Sequence, residues 1–347
     1  MTSLRRRWLL PAAVLVLAVG CSDSEPPRGT PSERLVYRVV DLTQGGHRVT
    51  TTVTDRTGQQ RARTVEHDGD SVTAPSLGGS ATDGTAAYLV QRDGTASQVQ
   101  QIAPTFAGQA WHLTVALDFA AAHGLAVRGA VATVEGTACT TWRTFEPLDA
   151  SPVAPPRSQD HTESCVTDDG LLLQESWSIA GSVVRTRTLV EHGAGPSLDG
   201  TRLLNGRSPG PSGAQSVESV KDVDVATLVR ALGIPAPEAP VGLSAGRTVA
   251  VIQQDPGGQG VAVEGGVLEW LAGDRLVVLR IERGLLAPLQ VGTAGVPVRA
   301  GARVLRVQAV ANGLRVRFSG PQGLVATVTT DVPLPELLPW LGAVSLG

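Results

Sequence analysis

Thiols are scarce in this chain: 347 residues hold three cysteines, and no two of them form a C-x-x-C pair. A thioredoxin-type redox centre needs that spacing, and a structural zinc site needs about four ligands, usually with C-x2–4-C spacing. Both are excluded. The six histidines, His47, His67, His112, His123, His161 and His192, are scattered, with neither H-x-H nor H-x-x-x-H among them. No local metal-ligand pair exists, and no cofactor is expected. Lysine occurs once, as Lys221, and the net charge is −3. A mildly acidic chain is a poor match for a phosphate backbone, so nucleic acid is not an expected partner. No period of about 20–50 residues marks a solenoid or propeller. Aromatics are only 3% of the chain; what it has instead is 42% hydrophobic residues, rich in Val, Leu and Ala, with 40 glycines and 23 prolines. That mixture, with abundant Thr, suits strands and turns.

The amino-terminal stretch MTSLRRRWLLPAAVLVLAVGC places three arginines before an apolar run from Trp8 to Val19. The run falls short of the roughly 20 residues that a bilayer-spanning helix needs and fits the core of a secretory signal. Ala18-Val19-Gly20-Cys21 resembles the lipobox of bacterial lipoproteins, departing from it in having Ala18 where leucine is commonest. The resemblance implies a diacylglyceryl group on the Cys21 thiol, cleavage before Cys21 and acylation of the new amine. Several acyl chains give lasting anchorage where one does not. Residues 1–20 are thus read as a signal peptide and 21–33 as a polar, Pro-containing tether. The expected location is the extracytoplasmic face of the cell membrane, lipid-anchored. Loss of Arg5, Arg6 and Arg7 with the signal takes the net charge to about −6.

From Arg34 the pattern alternates with period two, and RLVYRVVDL, HRVTTTVTDRTG and QQRARTVEHDG read as strands. Asp-Gly dipeptides at 68–69, 83–84, 93–94, 169–170 and 199–200 mark hairpins, because both central residues of a type I′ turn need positive φ. One helix is predicted over 113–123, stopped by Gly124. The Gly/Ser/Pro-dense stretch 193–220 reads as a linker. Beyond it, DVDVATLVRALGIP predicts a helix capped by Asp222 or Asp224 and stopped by Gly233 and Pro235. Seven strands follow, at about 246–254, 263–271, 274–283, 296–299, 303–311, 313–318 and 323–330, then a closing helix over 333–341. The fold class is mainly β (α+β). It comprises an antiparallel first domain over 34–192 with one or two covering helices, and a smaller antiparallel β domain over 221–347.

Three motifs invite chemistry and fail on context. GLSAG, at 242–246, matches the Gly-x-Ser-x-Gly pattern, but Ser244 leads into a strand and no histidine follows His192. GGQGVAVEGG lacks the Lys-Ser/Thr of a phosphate loop. HDGD and TDDG are too short for a calcium loop. A hydrolase with a spatial site therefore stands only as a second alternative, and the chain is read as not an enzyme. Arg185 and Arg187, alternating in VVRTRTLV, read as the wet side of a sheet more than as an anion contact.

With Cys21 committed to lipid, Cys139 and Cys165 are expected to pair on the oxidising side of the membrane. The enclosed EPLDASPVAPPRSQD is proline-rich and polar, a long excursion that a disulfide would pin between flanking strands.

The segments GTACTTWR and SCVTDDGLLLQESWSIAG, with Gly136 before Cys139 and a strand ending at Gly181, resemble actinobacterial lipoproteins of the LolA, LppX and RseB group over about 32–192. That resemblance implies a curved antiparallel half-barrel whose concave face, closed by helices, holds a hydrophobic or lipid-like ligand. Tyr37, Trp142, Leu171, Leu173, Trp177 and Ile179 are the candidate lining residues. It also implies an alternative, an envelope-sensing regulator that contacts a membrane protein partner.

Overall fold

The computed structural model describes residues 32–43, 46–58, 61–82, 86–101, 113–144, 160–198, 218–254, 261–273, 275–283, 295–310 and 313–347. The signal-like segment, Cys21, and most of the expected tether and linker lie outside these residues. The chain from Pro31 onward forms one compact unit.

Eleven strands make the first sheet: β1 (Ser32–Thr43), β2 (Gly46–Thr57), β3 (Arg61–Asp68), β4 (Ser76–Thr82), β5 (Ala86–Val90), β6 (Ala96–Gln101), β7 (Ala126–Val134), β8 (Thr137–Thr144), β9 (His161–Val166), β10 (Leu172–Ile179) and β11 (Ser182–Ala194). Their order is β6-β5-β4-β3-β2-β1-β11-β10-β9-β8-β7. The chain meanders outward from β1 to the edge at β6. It crosses through helix α1 (Leu113–Ala122) to the other edge at β7 and meanders back until β11 pairs antiparallel with β1.

α1 carries Leu113, Ala116, Leu117 and Ala120 at helical spacing, all buried. It ends where Gly124 takes a φ of 72°. The helix packs against β7 and also against β17 (Arg303–Val310) and β18 (Gly313–Ser319) of the second sheet.

That sheet has eight strands, with β12 (Glu218–Asp222), β13 (Ser244–Gln254), β14 (Val261–Ala272), β15 (Arg275–Arg283), β16 (Val296–Ala300) and β19 (Leu324–Thr330) completing it. The order is β12-β13-β14-β15-β19-β18-β17-β16. Helix α2 (Val225–Leu232) starts at Asp224, whose carboxylate accepts from the Thr227 amide at 2.6 Å. Gly233, at φ 68°, closes it. Helix α3 (Leu334–Ala343) ends the fold, and Trp340 meets Trp270 edge to face with ring centroids 5.4 Å apart. One continuous buried core runs from Leu35, Tyr37 and Val39 through α1 to Leu305, Val316, Phe318 and Trp340.

The turns differ from expectation. At Gly69, Gly94 and Gly170 only the glycine of the Asp-Gly pair has positive φ, so these are not type I′ turns. The hairpin dipeptides with both residues at positive φ are Glu135-Gly136, between β7 and β8, and Ala180-Gly181, between β10 and β11; Gln322-Gly323, between β18 and β19, shares the pattern. The Asp-Gly pairs at 83–84 and 199–200 lie outside the described residues.

Candidate functional site

Antiparallel pairing puts directly opposed residues on one face, so the register of β1, β11, β10, β9 and β8 identifies which side chains meet. Val39 opposes Arg187, Arg187 opposes Glu175, Glu175 opposes Ser164 and Ser164 opposes Trp142. Tyr37 and Trp142 therefore share a face. Both are buried, at 3% and 4% exposure, in the continuous core.

Tyr37 donates its hydroxyl to the Leu172 carbonyl at 2.8 Å, and the Arg187 guanidinium lies 4.5 Å from its ring centroid. Burial pushes the Tyr37 phenol above its ordinary pKa, against the lowering effect of Arg187. Replacing Tyr37 by Phe leaves that buried carbonyl without its donor. A loss of about 1–3 kcal/mol is expected from urea unfolding of Tyr37→Phe, with the fold retained.

Leu171, Leu172 and Leu173 are all buried, although strict alternation would turn the middle one outward. The reason is a register shift in β10 between Leu172 and Gln174, where the bulge directs consecutive side chains into the core. Leu171 and Leu173, expected to line a ligand groove, are part of that packing. Trp177 is half-buried, with the Arg185 guanidinium 5.2 Å from its ring, and Arg185 lies 3.2 Å from Asp41. Ile179, placed by sequence on the same lining, instead stands at the β10–β11 hairpin tip and is 57% exposed. The wet-side reading of Arg187 also needs correction. Its side chain is only 17% exposed, stacked on Tyr37 and 3.8 Å from Glu175.

An open groove of about 560 Å³ lies beside the disulfide. Cys139 and Cys165 are joined, with Cα atoms 5.4 Å apart, linking β8 to β9. Thr141, Arg143, Glu163, Cys165, Gln174 and Ser176 come to the groove from three adjacent strands, with Val127 and Gly129 from β7. By register the six occupy the face opposite Glu175. Arg143 donates through Nε to Glu163 at 3.0 Å and rims the groove with a charge pair. A register shift in β7 between Arg128 and Val131 brings Gly129 so close to β8 that a Cβ would stand 2.3 Å from Thr141 Oγ1. Any larger residue there would push the Thr141 hydroxyl aside. Beside the groove, Val127 and Val131 on this edge strand are 53% and 75% exposed.

Of the sequence candidates, the groove takes Cys165 and borders Trp142, which faces the core on the other side of the sheet; Gln174, Glu163 and Val127 had no sequence signal. Ser244 is the first residue of β13, not a strand-to-helix elbow. Among the described residues no cluster of three or more His, Cys, Asp or Glu is placed to hold a metal ion. No helix among them is long and apolar enough to cross a membrane.

No family model and no curated protein matches the chain. Among solved structures it is similar to MucB in complex with MucA(peri), at 14% identity, covering 88% of this chain and 90% of that one with a TM-score of 0.28. The MucA/MucB complex from Pseudomonas aeruginosa aligns at 15% identity over 88% and 89%, TM-score 0.29. A LolA superfamily protein from Nitrosomonas europaea aligns at 6% identity over 50% of this chain and 90% of that one, TM-score 0.21. Alignments this loose carry no argument about function. The class stands on the strand order itself: a mainly antiparallel β protein of two sheets, with α1 set between their strands in one core.

Proposed function

We propose that the protein is a non-catalytic, extracytoplasmic binding protein. It is tethered to the cell membrane through lipid on Cys21 and holds an extended segment of a membrane protein partner in the groove beside Cys139–Cys165. On this reading residues 1–20 are a signal peptide, 21–33 a tether and 193–220 a connection between the sheet of 34–192 and the sheet of 221–347, which share one core. The observation that carries the choice of site is that Tyr37, Trp142, Leu171 and Leu173 are packed into the core, whereas the disulfide-side groove is open. Its lining suits a peptide. Val127 and the disulfide supply apolar contact, while Gln174, Thr141 and Ser176 offer amide and hydroxyl partners to a backbone. β7 ends the sheet, so its outer edge can accept an added strand.

The groove volume, within the range of about 300–1,000 Å³ typical of small-ligand sites, also favours a second reading, a lipid-like ligand in the same place. Gln174 is exposed on the rim, so Gln174→Trp fills the groove without disturbing the core. Native mass spectrometry of the full chain extracted in mild detergent separates the readings. A polypeptide adduct lost in Gln174→Trp supports the partner, and a lipid adduct lost in it supports the second reading. Adducts unchanged in Gln174→Trp, with its thermal midpoint unchanged, would refute the groove as the site.

A further inference from the structure

The second sheet turns one face to the main core; the other buries a smaller cluster, Val249, Val267, Leu276 and Val278, towards β13–β15 and carries mostly arginine and threonine across β16–β19. Leu279, Val328, Val316 and Val307 oppose one another across β15, β19, β18 and β17, and all are fully buried. The alternate residues form the opposite face. There Arg280 opposes Thr327, Thr327 opposes Arg317, and Arg317 directly opposes Arg306. At about 4.8 Å per strand this ladder is roughly 15 Å long. Arg315, two residues from Arg317 on β18, faces the same way, as does Arg299 on β16, opposite Val304. One acid shares the face on these five strands: Glu282, 2.5 Å from Arg280.

Like charges directly opposed across a sheet are destabilising, and neutral polar residues would serve a merely wet face as well. Thr327, Thr329 and Gln308 on the same face show that such residues fit. Burial, and next the charge of Arg315, hold the Arg317 pKa below its ordinary value, with Glu282 opposing. Arg317 therefore senses Arg315. Guanidinium groups bind phosphate oxygens with a bidentate fork, and hydroxyls between them add donors. Five arginines spread over four strands do not converge on one ion; they match a surface of repeated phosphates. Val304, half exposed beside Arg299, adds an apolar contact.

We propose that this face of the second sheet docks on anionic phospholipid headgroups. The groove by the disulfide plays no part, so the two sites fail independently.

The test uses the chain from Ser22 onward, which keeps the whole compact unit beginning at Pro31. Co-sedimentation is measured with vesicles of 30% phosphatidylglycerol in phosphatidylcholine, and with pure phosphatidylcholine, at 50 mM salt. Binding to the anionic vesicles only is expected, falling steeply at 500 mM salt. Losing Arg306 and Arg317 together (Arg306→Gln with Arg317→Gln) is expected to weaken it about 30-fold, at roughly fivefold per arginine. Arg306→Gln alone is expected to leave the thermal midpoint nearly unchanged, because it relieves an opposed like charge and gives up only a long hydrogen bond, 3.4 Å, to the Gly295 carbonyl. If the double variant does not fold, Arg315→Gln, at a half-buried position, is expected to give the fivefold loss instead. Gln174→Trp should bind vesicles like the parent. Equal binding to neutral vesicles, or an unchanged affinity in the folded arginine variants, would overturn the proposal. So would saturable binding to polyglutamate without vesicle binding.

Discussion

Cys139→Ala combined with Cys165→Ala is expected to destabilise the protein by about 3.5 kcal/mol. The chain-entropy cost of closing a loop of 27 residues gives this figure, since the cysteines are 26 positions apart. For a unit of this size the loss corresponds to a fall in thermal midpoint of about 5 °C. The measurement is thermal unfolding of the parent and of the double variant under oxidising conditions. The parent with added reductant should move towards the variant, and the variant should ignore reductant. A variant as stable as the parent would mean that the excursion between β8 and β9 is held by other contacts. Because Cys165 lines the groove, the same variant should also lose the bound species. Stability and binding are thus linked through one covalent bond.

The second large effect concerns α1. Leu117 is almost wholly buried on a helix that packs against β7 of the first sheet and β17 and β18 of the second. Truncating a buried leucine to alanine removes transfer free energy and leaves a cavity, so Leu117→Ala is expected to cost about 2–5 kcal/mol. Since the buried core is continuous across both sheets, the loss should appear in both. Amide exchange should rise in β8 and in β18 alike, and urea unfolding should remain a single transition. A variant that loosens β8 while β18 keeps its protection would show that the sheets are stable independently, as separate domains at 34–192 and 221–347 would be.

Local signals were easy to read. α2 begins at Asp224 and stops at Gly233, and α1 ends before Gly124, because capping chemistry is written in neighbouring residues. Strand pairs joined by short turns were also legible from period-two alternation. Three features were not. Leu172 is buried by a bulge whose position depends on the pairing of β10 with β9. Arg187 looks solvent-facing in its own strand, yet meets Tyr37 and Glu175 from two other strands. Arg280 joins the Arg306–Arg317 pair of the β17–β18 hairpin only through the order β15-β19-β18-β17, which reverses chain order. The groove is of the same kind. Val127, Thr141, Glu163 and Gln174 come from four strands, and none carries a motif.

The most direct test of the binding reading is photo-crosslinking in cells that make the full chain. A photoreactive residue is placed at Val127, on the groove, or at Trp177, on the opposite face of the sheet. The expected result is a discrete adduct from position 127, lost when Gln174→Trp is added, and none from position 177. An adduct from position 177 with none from position 127 would contradict it, because the ligand would then lie on the face where Tyr37 and Trp142 are packed as core.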